Sequence, residues 1–321
     1  MIVDLPSSTT SAVNRKLVEL REDGGVQALG RVLTLVIITD DGSAVEGAIE
    51  AANSASREHP CRVIVLASGQ RKAAPRLDAQ IRVGGDAGAS EVIVLRGYGA
   101  LAAPEAGAGM VTPLLLPDAP VVAWWPGEAP AVPSEDAVGR LAQRRITDAL
   151  SAKNPLKAFE QRRAKHVAGD TDLTWTRLTP WRALLATALD APPHEDVTSA
   201  VVAGETVSPS TDLIAGWLVS RLGVKVKRSP AASGPGLVSV VLERPSGPVE
   251  LVRPDGKVGS LRQPGQPDRL VALPRRELRD CLAEELRRLD PDEIYAGALA
   301  GVAQTTRGRT PVTVPALAVS S

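Results

Sequence analysis

The chain has 321 residues, 44% of them hydrophobic and 23% charged, with 37 basic side chains matched by 37 acidic ones. At roughly 150 residues per domain the length suggests two domains. Zero formal net charge argues against indiscriminate binding to a phosphate backbone, so no nucleic acid is expected as a partner. Only 2% of residues are aromatic, and five of them are Trp, so the core must come from Val, Leu, Ile and Ala.

The first segment reads as a helix capped by Thr10 or Ser11, with Val13, Leu17 and Leu20 at helical spacing and Gly24-Gly25 ending the run. Residues 31–39 read as a buried strand and Asp40-Asp41-Gly42 as a turn. Ser43 and Glu46 are expected to form a capping box for a helix that buries Val45, Ala48, Ile49 and Ala52. With a strand over 62–67 this makes a βαβ unit, the building block of parallel sheets. More strands follow over 79–83, 91–95 and 121–125. Residues 100–115 are ambiguous, with helix towards their end. Residues 128–136 hold Pro130 and Pro133 and form a loop, and 138–145 read as a short helix. Residues 1–166 are therefore expected to be an α/β domain, a mainly parallel sheet flanked by helices.

A charged helical connector spans 154–166, and Gly169 with Asp170 marks the boundary to a second domain, 170–303. There a helix over 181–189 precedes Pro192-Pro193, and a strand covers 197–202. A helix from Ser208-Pro209 buries Leu213, Ile214, Trp217, Leu218 and Leu222 and is stopped by Gly223. Short runs follow over 224–228, 237–243, 249–253, 257–261 and 268–272. Pro/Gly pairs and Asp255-Gly256 separate the later ones, the pattern of antiparallel hairpins, so this domain is expected to be α+β. Pro274 opens an amphipathic helix with Leu278, Cys281, Leu282, Leu286 and Leu289 on one face, and 291–302 continues helical. The tail, 304–321, has no periodicity and is expected to be disordered.

Two cysteines, Cys61 and Cys281, cannot make a disulfide framework and point to a reducing compartment. Residues 1–6 lack a basic stretch leading into an apolar one, and the apolar run 32–38 is too short to cross a bilayer. A cytoplasmic protein with no membrane partner is expected. The motifs G-x-x-x-x-G-K-[ST], H-E-x-x-H, paired C-x-x-C and G-x-S-x-G are all missing, so no catalytic residue, cofactor or metal is assigned. His59, His166 and His194 are not at metal-ligand spacing. Gly97-Tyr98-Gly99-Ala100-Leu101-Ala102 matches G-x-G-x-x-A. It comes late in the sheet, and the next strand ends in Trp-Trp rather than an acidic residue. A plain tight turn is the first reading, a phosphate loop the second.

The informative residues are Trp and Arg. Trp124 and Trp125 close a strand just before Pro126-Gly127. Arg144, Arg145 and Asp148 follow, then Asp172, Trp175, Arg177, Trp181 and Arg182. Trp and Arg dominate the energetics of protein interfaces, and Arg grips carboxylate or phosphate bidentately. These ten are the candidate partner-binding residues, although the same spacing suits packing residues and internal Arg–Asp pairs.

The stretches 121–127 (VVAWWPG), 144–148 (RRITD) and 172–182 (DLTWTRLTPWR) resemble the glucose-6-phosphate dehydrogenase assembly protein family, OpcA, and the composition is similar to its actinobacterial branch. The resemblance spans about 1–303. It implies a non-enzymatic partner that binds glucose-6-phosphate dehydrogenase and shifts its oligomer towards an active form. Two alternatives stay open. One is a sugar-phosphate- or nucleotide-binding α/β protein acting as enzyme or metabolite sensor. The other is a scaffold that docks through the 274–289 helix.

Overall fold

The computed structural model describes residues 1–24, 32–83 and 91–314. Gly25, Arg31 and 315–321, which figure in the expectations above, lie outside the described residues. The helices are α1 (Thr10–Gly24), α2 (Ser43–Ser56), α3 (Gly107–Val111), α4 (Pro155–Ala164), α5 (Leu173–Thr176), α6 (Thr179–Leu189), α7 (Pro209–Leu222), α8 (Leu278–Leu286) and α9 (Glu293–Val302). One sheet holds β1 (Ile2–Leu5), β2 (Leu33–Asp40), β3 (Cys61–Ser68), β4 (Arg76–Val83), β5 (Glu91–Tyr98), β6 (Val121–Trp124), β7 (Arg144–Thr147) and β8 (Asp170–Asp172). The other holds β9 (Ser199–Gly204), β10 (Lys225–Pro230), β11 (Leu237–Glu243), β12 (Val249–Val252), β13 (Val258–Arg262), β14 (Arg269–Ala272) and β15 (Thr306–Arg307).

The chain forms two compact units. The first contains Met1–Lys153, Ala164–Leu173 and Glu277–Pro291; the second contains Asn154–Arg163, Thr174–Arg276 and the chain from Asp292 onward. The chain therefore crosses between units several times, where a single boundary at 166–170 was expected. Asp170 does not mark a linker: β8 is the last strand of the first sheet. The helix α8 belongs to the first unit, although the sequence around it reads as part of the second domain.

In the first unit the strand order is β1-β4-β5-β3-β2-β6-β7-β8. From β5 to β8 neighbouring strands pair in parallel, while β4 runs antiparallel to β5 and β1. Parallel sheets require cover on both faces, and two cores meet that need. On one face Leu35, Ile37, Val63, Val65 and Trp124 pack with α2 and with Cys281, Leu282 and Leu286 of α8. On the other, Val36, Ile64, Ile93 and Trp125 pack with Val13 and Leu17 of α1 and with Met110 and Val111 of α3. The apolar face of α8 is thus buried, which removes it as a docking surface.

Three local expectations change. The N-cap of α2 is Gly42, with no side-chain cap; Glu46 instead meets Arg82 through bonds of 2.6 and 2.8 Å. A turn with φ +115° at Gly42 starts the helix one residue early, and the nearby cation draws the carboxylate away. Residues 138–145 are not a helix. A single 3-10 turn at Gly139–Leu141 leads into β7, because Arg144-Arg145-Ile146-Thr147 extends beside β6. β1 was missed, since four residues carry too little alternation to read.

The second unit is mixed. Strands β9 and β10 are parallel and joined by α7, which ends at Gly223 in the left-handed conformation, as expected. Strands β11 to β14 form the expected antiparallel run. Gly216 of α7 and Gly301 of α9 sit at a close crossing, where a Cβ on either would collide with backbone of the other helix. The tail expectation fails over its described part. β15 pairs in parallel with β10, and Val312 exchanges two 2.9 Å bonds with Pro230 and Ala232. Arg307 in β15 also lies 3.1 Å from Asp212, a fully buried carboxylate of α7 whose protonation burial favours. Among the described residues no helix is long and apolar enough to cross a membrane.

Both cysteines are buried. Burial pushes the Cys61 thiol up to about 11, and the hydroxyl of Ser56, 3.0 Å from Sγ, only partly offsets this. Thiolate is the reactive species. Folded protein at pH 8 should therefore react with neither thiol in a disulfide-exchange assay, and both should react once denaturant is added. Fast labelling of Cys61 in the folded protein would contradict this packing.

Candidate functional site

Six of the ten candidate residues lie at the carboxyl ends of β6, β7 and β8 or on β7 itself. Successive side chains of a strand point to opposite faces, so Trp124 and Trp125 enter the two different cores and are 0% and 2% exposed. The indole nitrogen of Trp124 is buried without a hydrogen-bond partner. Arg144 and Arg145 alternate in the same way. Arg144 donates to Glu285 at 2.5 Å and to the carbonyl of Asp290 at 2.8 Å. Arg145 pairs with Asp170 and donates to the carbonyls of Ala142 (2.8 Å) and Ala168 (2.5 Å). Asp172 accepts from the Thr147 hydroxyl at 2.7 Å and the Ala149 amide at 3.0 Å, and Asp148 accepts from Ser151 at 2.8 Å. These carboxylates close the β7 and β8 ends.

In the second unit Trp175 is buried and donates its indole N–H to Asp292 at 2.9 Å. Asp292 also caps α9 by accepting from the Tyr295 amide at 2.9 Å. The Arg182 guanidinium stacks 3.7 Å over the Trp175 ring, and Arg253 sits 5.2 Å over buried Trp181. Arg253 in turn donates to the carbonyls of Leu273 and Leu237, both at 2.9 Å. Among the ten, Arg177 and Arg182 are half-buried and the other eight are buried. The reading of the tryptophans as partner anchors is therefore corrected: they fill cores, while Arg144 and Arg145 are engaged by carboxylates and carbonyls of their own unit and Arg182 by the Trp175 ring and the Thr179 hydroxyl.

The glycines of the 97–102 motif are likewise used internally. A Cβ at Gly97 would collide with the carbonyl of Leu101, and one at Gly99, which has φ +61°, would come within 2.6 Å of the carbonyl of Ala73. That turn packs against its own chain.

A crevice of about 550 Å³ opens elsewhere in the first unit. β2 is followed by β3 on one side of the sheet, whereas β6 comes back to its other side. The strand order reverses there, and open α/β sheets bind ligands beyond the strand carboxyl ends at such a point. The floor is Ile38, Leu66, Leu95, Leu101, Met110 and Trp125, and the first turn of α2 borders it. Glu128 and Asp136 of its lining are committed, as are Asp41 and Glu46 at the start of α2, outside the lining. Asp41 holds Arg96, Glu46 holds Arg82, Glu128 accepts from the Lys153 amide at 2.6 Å, and Asp136 accepts from the amides of Val138 and Gly139. Asp40 and Arg71, which also line the crevice, have no side-chain partner among the described residues. Sequence reading takes Asp40 as a turn residue and assigns nothing to Arg71.

The fold and these residues define a two-unit α/β protein with a switch-point crevice and a buried Trp/Arg framework. Two family models match side by side: the glucose-6-phosphate dehydrogenase subunit N-terminal domain over 52–164 and the C-terminal domain over 168–299. The chain belongs to the OpcA family. It is 31% identical over 189 residues to the "Putative OxPP cycle protein OpcA" of Synechococcus elongatus, a match covering 53% of this chain and 41% of that relative. Two solved structures are also similar over 62% of this chain at 9% identity. One, described as trehalose-6-phosphate from E. coli bound with UDP-2-fluoro glucose, is covered over 64% with a TM-score of 0.24; the other, the OtsA apo structure, over 66% with 0.25. At such scores neither bears on function.

The Arg144–Glu285 pair provides a test of the framework. Removing one partner of a buried pair strands a charge, whereas replacing both with apolar residues is often neutral. Arg144→Met should cost about 3–5 kcal/mol in urea unfolding, and adding Glu285→Leu should restore most of the loss. Equal destabilisation of the single and double variants would show that this pair is not what holds β7.

Proposed function

We propose that the protein is a non-enzymatic assembly factor of the oxidative pentose phosphate pathway, which binds glucose-6-phosphate dehydrogenase and favours its active oligomer. The observation that carries this reading is the match of both family models, each named for a glucose-6-phosphate dehydrogenase subunit, along most of the chain. A binding partner activates an enzyme only as far as it prefers the active state. A tenfold preference supplies about 1.4 kcal/mol of coupling. The buried residues Trp124, Trp125, Arg144, Arg145, Asp148, Asp172, Trp175 and Trp181 contribute by fixing the shape of the contact surface, and Arg177 and Arg182 reach the enzyme directly.

The test is co-elution with the organism's own glucose-6-phosphate dehydrogenase, with dehydrogenase activity assayed across the peak. Activity should rise where the two proteins elute together. Arg177→Ala should weaken co-elution about tenfold, with folding of the variant verified by its melting curve. Trp125→Ala should instead lose about 3–5 kcal/mol of stability. Separate elution with unchanged dehydrogenase activity defeats the proposal, as does turnover of a metabolite by the purified chain alone.

A further inference from the structure

We infer that residues 306–312 form a releasable strap over the outer edge of β10, locked in place by the ion pair of Arg307 with Asp212, and that the strap keeps this edge from accepting another extended chain. The inference lies wholly within the second unit, uses none of the ten Trp/Arg residues and is independent of the partner reading above.

The strap is attached by few and mostly polar contacts. β15 is two residues long, and beyond it only Val312 pairs again, in an isolated bridge to Ala231. The Thr306 hydroxyl donates to the carbonyl of Val226 at 3.3 Å. The amide of Gly308 donates to the carbonyl of Arg228 at 2.8 Å, and that of Val312 to the carbonyl of Pro230 at 2.9 Å. Thr306, Arg307, Arg309, Thr310 and Pro311 are exposed and Val312 is half-buried, so little apolar burial holds the segment. Gly308 lets it lie close to β10, since a Cβ there would come within 2.3 Å of the Ser229 hydroxyl. Backbone pairing that is short, exposed and without an apolar face belongs to the part of a fold that opens first.

Against this weak attachment stands one contact with a sealed charge. Asp212, in the first turn of α7, is 0% exposed. Arg307 reaches its carboxylate at 3.1 Å, although the arginine side chain itself is 55% exposed. Arg228 Nε lies 3.5 Å from the same oxygen and is buried without a hydrogen-bond partner. Both Asp212 oxygens and the hydroxyls of Ser208 and Thr211 are also buried without one. Glu160 and Arg163 of α4 act on Asp212 through space, but they bond each other at 2.7 and 3.0 Å and so largely cancel. The charge of Asp212 is therefore balanced by two guanidinium groups, and one of them is carried in by the strap. A buried carboxylate deprived of a counter-ion is costly, which makes Arg307 the lock.

The strap closes an edge. β10 would otherwise end the second sheet, with the carbonyls of Val226, Arg228 and Pro230 facing outward. An open row of this kind is a template for strand addition. Joined to the chain, the strap is present at a local concentration of about millimolar, enough to keep a separate strand away while the lock holds.

The experiment uses the full chain in three variants, Arg307→Glu, Arg307→Lys and Asp212→Asn, with two readouts. Hydrogen exchange is followed at the amides of Gly308, Val312 and Ala232, and β11 to β13 report whether the unit stays folded. Binding is measured with a synthetic peptide of residues 305–314, the strap's own sequence, as the added strand. In the parent the three strap amides should exchange faster than β11 to β13, and the peptide should not bind. Arg307→Glu and Asp212→Asn should lower protection of the strap amides at least about tenfold and leave β11 to β13 unchanged, while Arg307→Lys keeps most of it. The Arg307→Glu protein should bind the peptide, and a peptide carrying the same change should bind it at least about tenfold more weakly. Unchanged strap protection in Arg307→Glu overturns the lock. Loss of strap and β11 to β13 protection together overturns the separate strap. A released strap with no peptide binding, or equal binding by parent and variant, overturns the closed edge.

Discussion

A strand in the middle of a parallel sheet has no face left for water, and much of the first unit follows from that. Helices cover both sides of β2, β3 and β6, so side chains in the middle of these strands must be apolar, small or partnered. The adjacent pair Trp124-Trp125 meets the requirement by sending one indole into each core. What is polar and uncommitted is pushed to the strand carboxyl ends, where the backbone turns out of the sheet. Asp40 and the α2 turn lie there, and the crevice forms between them and the segment after β6. The crevice lies at the carboxyl ends of strands belonging to the same sheet as Trp124, Arg144 and Arg145.

The arginines follow a related rule. A buried guanidinium keeps its charge and must find carboxylates or carbonyls to replace water. Arg62 bonds buried Glu91 at 3.0 Å and the Leu114 carbonyl at 2.6 Å, Arg145 spans Asp170 and two carbonyls, and Arg253 binds two carbonyls while lying over Trp181. Such side chains tie strand ends and loops together at defined geometry. In composition they cannot be told from arginines that face a partner, because both kinds occur beside Trp and Asp. The distinction lies in whether the carboxylate is supplied by the same unit.

Much of the local structure was legible in the sequence. The β2–α2–β3 unit, the α7 helix with its Gly223 stop, the antiparallel β11–β14 run and the burial of both cysteines follow from periodicity and turn chemistry, which act over a few residues. The family resemblance was legible too, because VVAWWPG and DLTWTRLTPWR are long and contain rare residues. The capping of α2, the strand β7 in place of a helix, and the pairing of β15 were not, since each depends on a partner far along the chain: Arg82 for Glu46, β6 for β7, β10 for β15. The candidate site shows the same division. Sequence singled out the Trp and Arg residues as partner-binding candidates and left open whether they pack internally. Only the tertiary structure decided that they face inward, and that Asp40 and Arg71 are left unpaired at a crevice. The reason is that strand order, which fixes both, is set by contacts between segments that no local pattern encodes.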